Sequence, residues 1–240
     1  MTMQAQAFAW TRRQWLGCVA AAGWAAALPA AQAQVAPSPG EAVKYGGLLA
    51  AAHRGDLPRL RQILAAGTNL EETDSHGRTA VHLAAHGGHR DALRLLAQAG
   101  ANLNRLENDR YDAVTIASVA NDEATLAVLL SLGASAKQVT SRYDGTALIA
   151  AAHLGHAGIV RQLIAAGAPL DHINNLHWTA VIEAIVLGDG GTRHQATLQA
   201  LIGAGANLQL TDRHGDTPLQ LARARGYTAM VRMLEAAGAR

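Results

Sequence analysis

Apolar and polar positions follow one another along most of the chain with the spacing of short, paired helices. In the stretch 78–104, two apolar stripes of helical period are separated by Gly88 and closed by Gly100. Thr79 is expected to cap the first helix, because its hydroxyl can accept a hydrogen bond from a free amide of the first turn. Both glycines are expected to end helices, since glycine adopts the left-handed conformation there without strain. The stretch therefore predicts two antiparallel helices joined by a tight turn.

The same pattern occurs six times. The glycine that closes the second helix recurs at steps of 33, 33, 34, 38 and 33 residues, as Gly67, Gly100, Gly133, Gly167, Gly205 and Gly238. Every first helix carries an alanine at one fixed place, namely Ala51, Ala84, Ala117, Ala151, Ala184 and Ala222. The turn between the helices falls on Gly55, Gly88, Asn121, Gly155, Gly188 and Gly226. Small residues let neighbouring helices approach closely, so the units are expected to stack in series and bury their apolar faces.

A period of this length and composition resembles the ankyrin repeat. The motifs that carry the resemblance are TAVH at 79–82, TAL at 146–148, TAV at 179–181, TPL at 217–219, and GANL at 100–103 and 205–208. The resemblance implies an all-α ankyrin-repeat solenoid of about six helix-turn-helix units over residues 44–240. Short hairpin-like loops between the units, such as 69–78 and 208–216, are called fingers below. We expect them to contain little true strand.

The departures from the family pattern are local. Asp112 stands where other units have the capping threonine, and an acidic residue is favourable at a helix start. Only Pro218 keeps the proline of the family motif. The fifth unit carries a five-residue insert, 189–193, which predicts a longer loop between its two helices.

Residues 1–33 resemble an export signal and are excluded from the fold. The segment 11–16, TRRQWL, resembles a twin-arginine signal, although an ordinary Sec signal with adjacent arginines is the alternative. The apolar run 18–28 is about 11 residues long, whereas a helix that crosses a bilayer needs roughly 20. Cleavage is expected near Ala33 and Gln34, which predicts a periplasmic protein without a stable membrane anchor. Residues 34–43 read as a loosely attached linker before the ankyrin-repeat domain.

Removal of the export signal changes the charge and the cysteine count. Loss of Arg12 and Arg13 from the 20 basic residues leaves 18, which equals the number of acidic residues. A neutral chain gives no electrostatic reason to expect a nucleic-acid partner. The lone cysteine, Cys18, lies in the signal, so no disulfide is expected in the mature chain. We expect a monomer that is stabilised by stacking of its repeats.

The eleven histidines are the residues that most invite a chemical interpretation. His82 and His86 are four positions apart on one helix, a spacing that could hold a zinc ion. The resemblance implies structural roles instead, with His82 bonded to the adjoining loop and His89 and His156 at the family's Gly-His position. The sequence has no cysteine nucleophile outside the signal and no G-x-S-x-G motif. We therefore expect neither catalysis nor a cofactor.

The resemblance implies that recognition uses the fingers and the ends of the first helices. The finger positions are His76, Arg78, Tyr111, Arg142, Tyr143, Trp178, Arg213 and His214. The positions at the helix ends, which in this family face a concave groove, are His53, Arg54, His86, His153, Leu154 and Arg225. Tyr, Trp and Arg dominate the energetics of interfaces, so Trp178 is expected to be an exposed contact residue, with packing at the finger base as the alternative. The three groove histidines could sense pH or face an acidic partner, or simply be polar helix ends.

These expectations describe a periplasmic protein that binds another protein. The chain resembles exported bacterial ankyrin proteins, some of which support an oxidative-stress enzyme such as catalase. The first hypothesis is therefore an accessory factor of a periplasmic enzyme. The alternatives are an immunity protein that inhibits an exported effector, and a metal- or haem-handling protein that uses the groove histidines.

Overall fold

The computed structural model describes residues 36–240, so the predicted export signal and its cleavage site lie outside the described residues. In this range a short helix, α1 (Pro39–Ala42), precedes six helix pairs. The pairs are α2 (Gly47–Arg54) with α3 (Leu57–Ala65), α4 (Ala80–His86) with α5 (Arg90–Gln98), α6 (Ala113–Val119) with α7 (Glu123–Ser131), α8 (Ala147–Leu154) with α9 (Ala157–Ala165), α10 (Ala180–Val186) with α11 (Thr192–Gly203), and α12 (Pro218–Ala224) with α13 (Thr228–Ala236). The predicted six-unit solenoid is confirmed. No helix of the described range is both long and apolar enough to cross a membrane.

The helices form two layers that run along the stack. Each first helix packs against the first helix of the next pair, which gives an inner layer of α2, α4, α6, α8, α10 and α12. The second helices pack in the same way into an outer layer, and each pair also packs internally. The six fixed alanines are at most 2% exposed, which is the burial that close helix contact requires. One apolar core therefore runs continuously through the array and couples every repeat to its neighbours.

The turn glycines behave as predicted at every closing position and at all but one inter-helix position. All six closing glycines have φ between 76° and 92°. Asn121 also adopts a positive φ, 55°, in place of glycine. The exception is Gly188, because the positive φ of that unit falls instead on Gly190, at 69°. A side chain at Gly188 would collide with the backbone carbonyl of Ala184 and with the ring of His194, so glycine is needed there for space.

The insert of the fifth unit does not form only a loop. α11 begins at Thr192 and has 12 residues, whereas the other outer helices have 9. The insert thus supplies both the connection around Gly190 and extra residues at the start of the helix. The predicted loop over 189–193 was therefore too long by its last two residues. A backbone bond from the Gln195 amide to the Gly191 carbonyl, 2.9 Å, begins the helix.

The fingers are tight turns closed by few backbone bonds. Only the third finger is a regular ribbon among the described residues, with β1 (Val139–Thr140) antiparallel to β2 (Gly145–Thr146). In the first finger the Asp74 amide donates to the Arg78 carbonyl at 3.1 Å. The fourth finger repeats this bond between Asn174 and Trp178 at 3.0 Å. The expectation of little true strand is confirmed.

The segment before the repeats differs from the loosely attached linker expected for residues 34–43. Ser38 and Glu41 form a capping box around α1, in which each side chain bonds the other's backbone amide. The Glu41 carboxylate also accepts a hydrogen bond from Arg78 at 2.6 Å. Residues 38–45 are therefore tied to the first finger.

Candidate protein-binding surface

Four of the five fingers are shaped by one acidic or amide side chain at the base, whereas the hydroxyl of Ser141 takes this place in the third finger. In the first finger, Oδ1 of Asp74 accepts from the amides of His76 and Arg78, both at 2.9 Å. Asn174 does the same in the fourth finger, where it accepts from the amides of Leu176 and Trp178 at 3.0 Å. These bonds fix the turn from within, so the residues at its tip are left to point outward.

Backbone and side-chain bonds also join one fingertip to the next. The Asn108 amide donates to the His76 carbonyl at 2.9 Å, and the Asn175 amide donates to the Tyr143 carbonyl at 2.9 Å. Arg213 donates to the Asn175 carbonyl at 3.2 Å. The tips therefore form a connected row, which presents its side chains in a fixed order.

Most of the predicted finger residues lie on this row. Five are exposed, namely His76, Arg142, Tyr143, Arg213 and His214. Tyr143 is 48% exposed, which is unusual for a large side chain in this protein. The row thus combines an aromatic ring with two arginines, the residue types that contribute most at protein interfaces.

Three predicted finger residues do not lie on the exposed surface as expected. Tyr111 is 5% exposed, with its amide bonded to the Glu107 carboxylate at 3.0 Å. Trp178 is half-buried and packs against the core, which agrees with the alternative role at the finger base. Arg78 is 2% exposed. The expectation of three exposed contact residues was wrong because these positions close the turn, where the chain returns to the helices.

Arg78 is buried beneath the segment that precedes the repeats. Its guanidinium contacts the carboxylates of Asp74 at 2.7 Å and Glu41 at 2.6 Å, and the Tyr45 hydroxyl at 3.1 Å. The Tyr45 hydroxyl donates in turn to Asp74 at 2.8 Å. A buried guanidinium needs such partners because an unpaired charge is costly away from water. Arg78 therefore fastens the first finger to the N-terminal segment.

The six groove positions lie at the C-terminal ends of the inner helices, as predicted. Arg54 and Arg225 are exposed, whereas His53, His86, His153 and Leu154 are half-buried. Burial lowers the pKa of His86 to about 4 and lowers the pKa of His53 and of His153. The ring of His53 meets the edge of Tyr45 at a centroid distance of 5.5 Å. These helix ends thus present imidazoles whose protonation is disfavoured by burial, together with two permanent cations.

His82 has the structural role that the resemblance implied. Its Nδ1 accepts a hydrogen bond from the Thr79 amide at 3.0 Å. Its Nε2 lies 3.0 Å from the Arg105 carbonyl and 3.2 Å from the Tyr111 carbonyl, so Nε2 carries the proton. Burial lowers the pKa of His82 to about 4, which keeps the ring neutral. With both nitrogens occupied, His82 has no position left for a metal.

A second set of histidines bonds one repeat to the next. Nε2 of His89 lies 3.0 Å from the His53 carbonyl, and Nδ1 of His156 lies 3.0 Å from the Ser118 carbonyl. These carbonyls belong to the last turn of an inner helix, which has no partner within the helix itself. The side chain of one repeat therefore completes the helix end of the repeat before it.

His194 and Tyr227 extend this set, and both were missed in the sequence. His194 bonds the His153 carbonyl at 2.9 Å, and the Tyr227 hydroxyl donates to the Gly188 carbonyl at 2.8 Å. The insert hides the equivalence of His194 when the fifth unit is read forward from its cap, whereas Tyr227 lies ten residues after Thr217, as His89 does after Thr79, but is not a histidine. Counting back eleven residues from each closing glycine places both residues with His89 and His156.

Glu183 is a further residue that sequence reasoning missed. It lies on α10 and is 4% exposed, and burial raises its pKa to about 7. Oε1 accepts from the Asn174 amide group at 3.0 Å, whereas Oε2 has no hydrogen-bond partner and lies 3.5 Å from Nδ1 of His153. The equivalent positions in the other five units are apolar, namely Ala50, Leu83, Ile116, Ala150 and Leu221. One ionisable residue at a repeat position that is apolar in the other five units was the signal that could have identified Glu183.

Side chains that could bind a metal ion do not converge in the part of the chain that the structure describes. Over residues 36–240, no group of three or more His, Cys, Asp or Glu residues is arranged to hold a metal ion. His82 and His86 share a helix, but the first is occupied by its loop bonds. The described surface therefore offers side chains for contact with another molecule and no assembled set of ligands.

Comparisons with known proteins agree with this geometry. A model of ankyrin repeats in three copies matches residues 48–140 and 120–212. The putative ankyrin repeat protein YahD of Escherichia coli (strain K12) is 36% identical over 192 residues, which cover 80% of this chain and 95% of that protein. An ankyrin repeat domain from Acinetobacter baumannii AYE has a TM-score of 0.76 at 41% identity, covering 80% and 98% of the two chains. The ankyrin repeat protein EF0377 has a TM-score of 0.74 at 30% identity, covering 79% and 96%.

Proposed function

This chain belongs to the ankyrin-repeat family, whose domains are generally protein–protein interaction modules, and we propose that its fingertips and groove hold a protein partner in the periplasm. The observation that carries the proposal is the row of exposed side chains at the fingertips. Arg142, Tyr143 and Arg213 are exposed, and bonds to Asn175 hold them in a fixed order: the carbonyls of Arg142 and Tyr143 accept from Asn175, and the guanidinium of Arg213 donates to the Asn175 carbonyl. A rigid row of this kind suits a partner that is recognised without reshaping the protein.

Capture of the partner from a periplasmic extract tests this proposal. The wild-type protein is expected to retain one protein reproducibly, and the double variant Arg142→Ala, Tyr143→Ala is expected to lose it. Arg161→Ala, on the exposed side of α9, is the matched control and should retain it. Equal capture by all three proteins would contradict the proposed surface, and the absence of any retained protein would contradict the function.

The periplasmic location rests on the segment 1–33, with its arginine pair and its A-x-A site. Replacement of Arg12 and Arg13 by lysine is expected to abolish export through the twin-arginine route. Cell fractionation measures the outcome. Export that persists in the lysine variant indicates the Sec route, whereas a wild-type protein retained in the cytoplasm contradicts the location.

Within this function we propose a supporting role for a periplasmic enzyme, such as one that acts in oxidative stress. The identity of the captured protein distinguishes this role from inhibition of an exported toxin. Addition of the purified chain should preserve the activity of a supported enzyme under peroxide and should abolish the activity of an inhibited effector. If the purified chain neither preserves nor abolishes the activity of the captured protein, both roles are contradicted.

We also propose that the protein acts as a monomer, by binding and without a reaction of its own. Light scattering on the purified chain is expected to give the mass of one copy, and a dimer mass would contradict this. Metal analysis tests the metal- or haem-handling alternative. A stoichiometric metal, or turnover by the metal-free chain, would overturn the binding-only assignment.

A further inference from the structure

The inner helices of the fourth and fifth repeats bring together a carboxyl group and an imidazole at the groove. Oε2 of Glu183 on α10 lies 3.5 Å from Nδ1 of His153 on α8. The side chain of Glu183 is 5% exposed, whereas that of His153 is 33% exposed. His153 is therefore the more exposed member of the pair. This inference rests on the proposed function, because it concerns the chemistry of the partner that the groove accepts.

Repeat packing does not explain why a glutamate occupies this place. The other five units have alanine, leucine or isoleucine there, so their inner helices stack without a polar group at this position. Burial of a carboxyl group is costly unless its oxygens are bonded, and Oε2 of Glu183 has no hydrogen-bond partner. A buried residue that weakens the packing and has a carboxylate oxygen without a hydrogen bond is expected where that residue takes part in binding.

The pair can hold one proton near neutral pH. Burial raises the pKa of Glu183 to about 7 and lowers the pKa of His153, so the proton resides on the carboxyl group in the unbound protein. The other charged groups at this place are His194 on α11, which bonds the His153 carbonyl, and the exposed Asp189, which bonds His194. Transfer from Oε2 to Nδ1 would convert a neutral pair into an imidazolium with a carboxylate behind it, without a proton from water.

The remaining groove positions determine which partner such a pair would suit. The six positions hold three histidines, two arginines and one leucine, and the exposed fingertip residues include Arg142 and Arg213. These cations favour a partner of negative charge. A carboxylate that approaches the exposed edge of His153 would stabilise the proton on the imidazole and leave Glu183 ionised.

We propose that His153, supported by Glu183, binds a carboxylate of an acidic segment in the partner protein. His153 makes the contact, and Glu183 is a positioning residue that supplies the proton. Binding of an acidic segment should then be strongest when the pair holds its one proton, and should weaken as the pH rises and the pair loses it.

Fluorescence anisotropy with a labelled peptide of alternating Glu and Ala tests the proposal. The peptide is expected to bind the purified protein near pH 6.5 and to bind about tenfold more weakly near pH 8. Peptides with Gln or Lys in place of Glu should not bind. His153→Ala should abolish binding, whereas Arg161→Ala, a cation lost from the outer layer, should leave it unchanged.

Glu183→Gln separates a positioning role from a merely structural one. Gln keeps the size of the side chain and can still accept from Asn174, so the fold should persist in circular dichroism. Without the donated proton, the midpoint of the binding profile should move at least about one pH unit lower. An unchanged profile in this variant, or no binding of the Glu peptide at any pH, overturns the inference. A partner from the periplasmic extract that His153→Ala retains fully would also overturn it and would leave the proposed function standing.

Discussion

The guanidinium of Arg78 lies 2.6 Å from the carboxylate of Glu41, a residue 37 positions earlier in the chain. The same carboxylate lies 2.8 Å from Nε2 of His76. The hydrogen bonds from Ser38 and the neighbouring Arg78 lower the pKa of Glu41 to about 2. The segment before the first repeat thus takes the place of a preceding finger, and it gives the exposed end of the array a polar covering that terminal repeats need.

Glu41→Gln is expected to lower the free energy of unfolding by about 1 kcal/mol at neutral pH, because the side chain is partly exposed and its ion pairs are screened. An acid whose folded pKa is depressed contributes stability above its unfolded value of 4.5 and loses it as the pH falls toward 2. Urea denaturation at neutral pH and near pH 3 should therefore show the difference shrinking in acid. Glu235→Gln, in an exposed pair with Arg223, is the control and should change little. A loss that is equal at both pH values would contradict the ion-pair explanation.

Ala117→Asp is expected to unfold the centre of the array. Ala117 is fully buried on α6, where a carboxylate would have no partner and no room. Such a change is expected to cost about 3 to 5 kcal/mol. Ala127→Asp, on the exposed side of α7, is the matched control and should cost less than about 1 kcal/mol. Thermal melts followed by circular dichroism measure both, and similar melting temperatures would reject the assigned helix contact.

The repeat architecture could be predicted because its determinants are local and recur. The helix end at Gly100 depends only on the φ angle of that residue. The burial of Ala117 depends only on its place in the repeat period. Six copies of the same spacing reinforced one another. Gly188 is the exception to this local prediction. In the fifth unit, which carries the insert, the positive φ falls on Gly190, and Gly188 lies against the ring of His194.

The exposure of the candidate site could be predicted only in part. The repeat pattern places Arg142 and Tyr143 at a fingertip, and both side chains are exposed. The burial of Arg78 depends on Glu41, which lies before the first repeat, and on the hydroxyl of Tyr45, which stands one repeat period before Arg78. Tertiary packing of this kind leaves no periodic trace in the sequence. The sequence therefore predicted which residues lie at the fingertips and helix ends, but not which of them are covered.

His194→Ala is expected to weaken the contact between the fourth and fifth repeats. The ring bonds the His153 carbonyl at 2.9 Å and Asp189 at 2.8 Å, and its loss leaves the end of α8 without that donor. The expected cost is about 1 to 3 kcal/mol in urea denaturation. His214→Ala, an exposed histidine on the fifth finger, should be nearly neutral. If the two substitutions cost the same, the bond between the repeats does not contribute as argued.

Glu183→Gln is expected to stabilise the protein, and to do so only above acidic pH. The pKa of Glu183 rises from 4.5 to about 7 on folding, so the folded state holds a proton that the unfolded state releases in this range. An acid with a raised folded pKa therefore costs no stability below about pH 4.5, and its cost grows up to about pH 7 and then stays constant. Gln removes that cost, which predicts a gain of about 1 to 3 kcal/mol at pH 8 and little change at pH 4. Urea denaturation at both pH values measures it, with the exposed Glu72→Gln as a control that should show no such gain. A loss of stability at pH 8 would mean that the carboxylate of Glu183 is hydrogen-bonded in the folded protein. That result would contradict the inference that Glu183 and His153 share one proton.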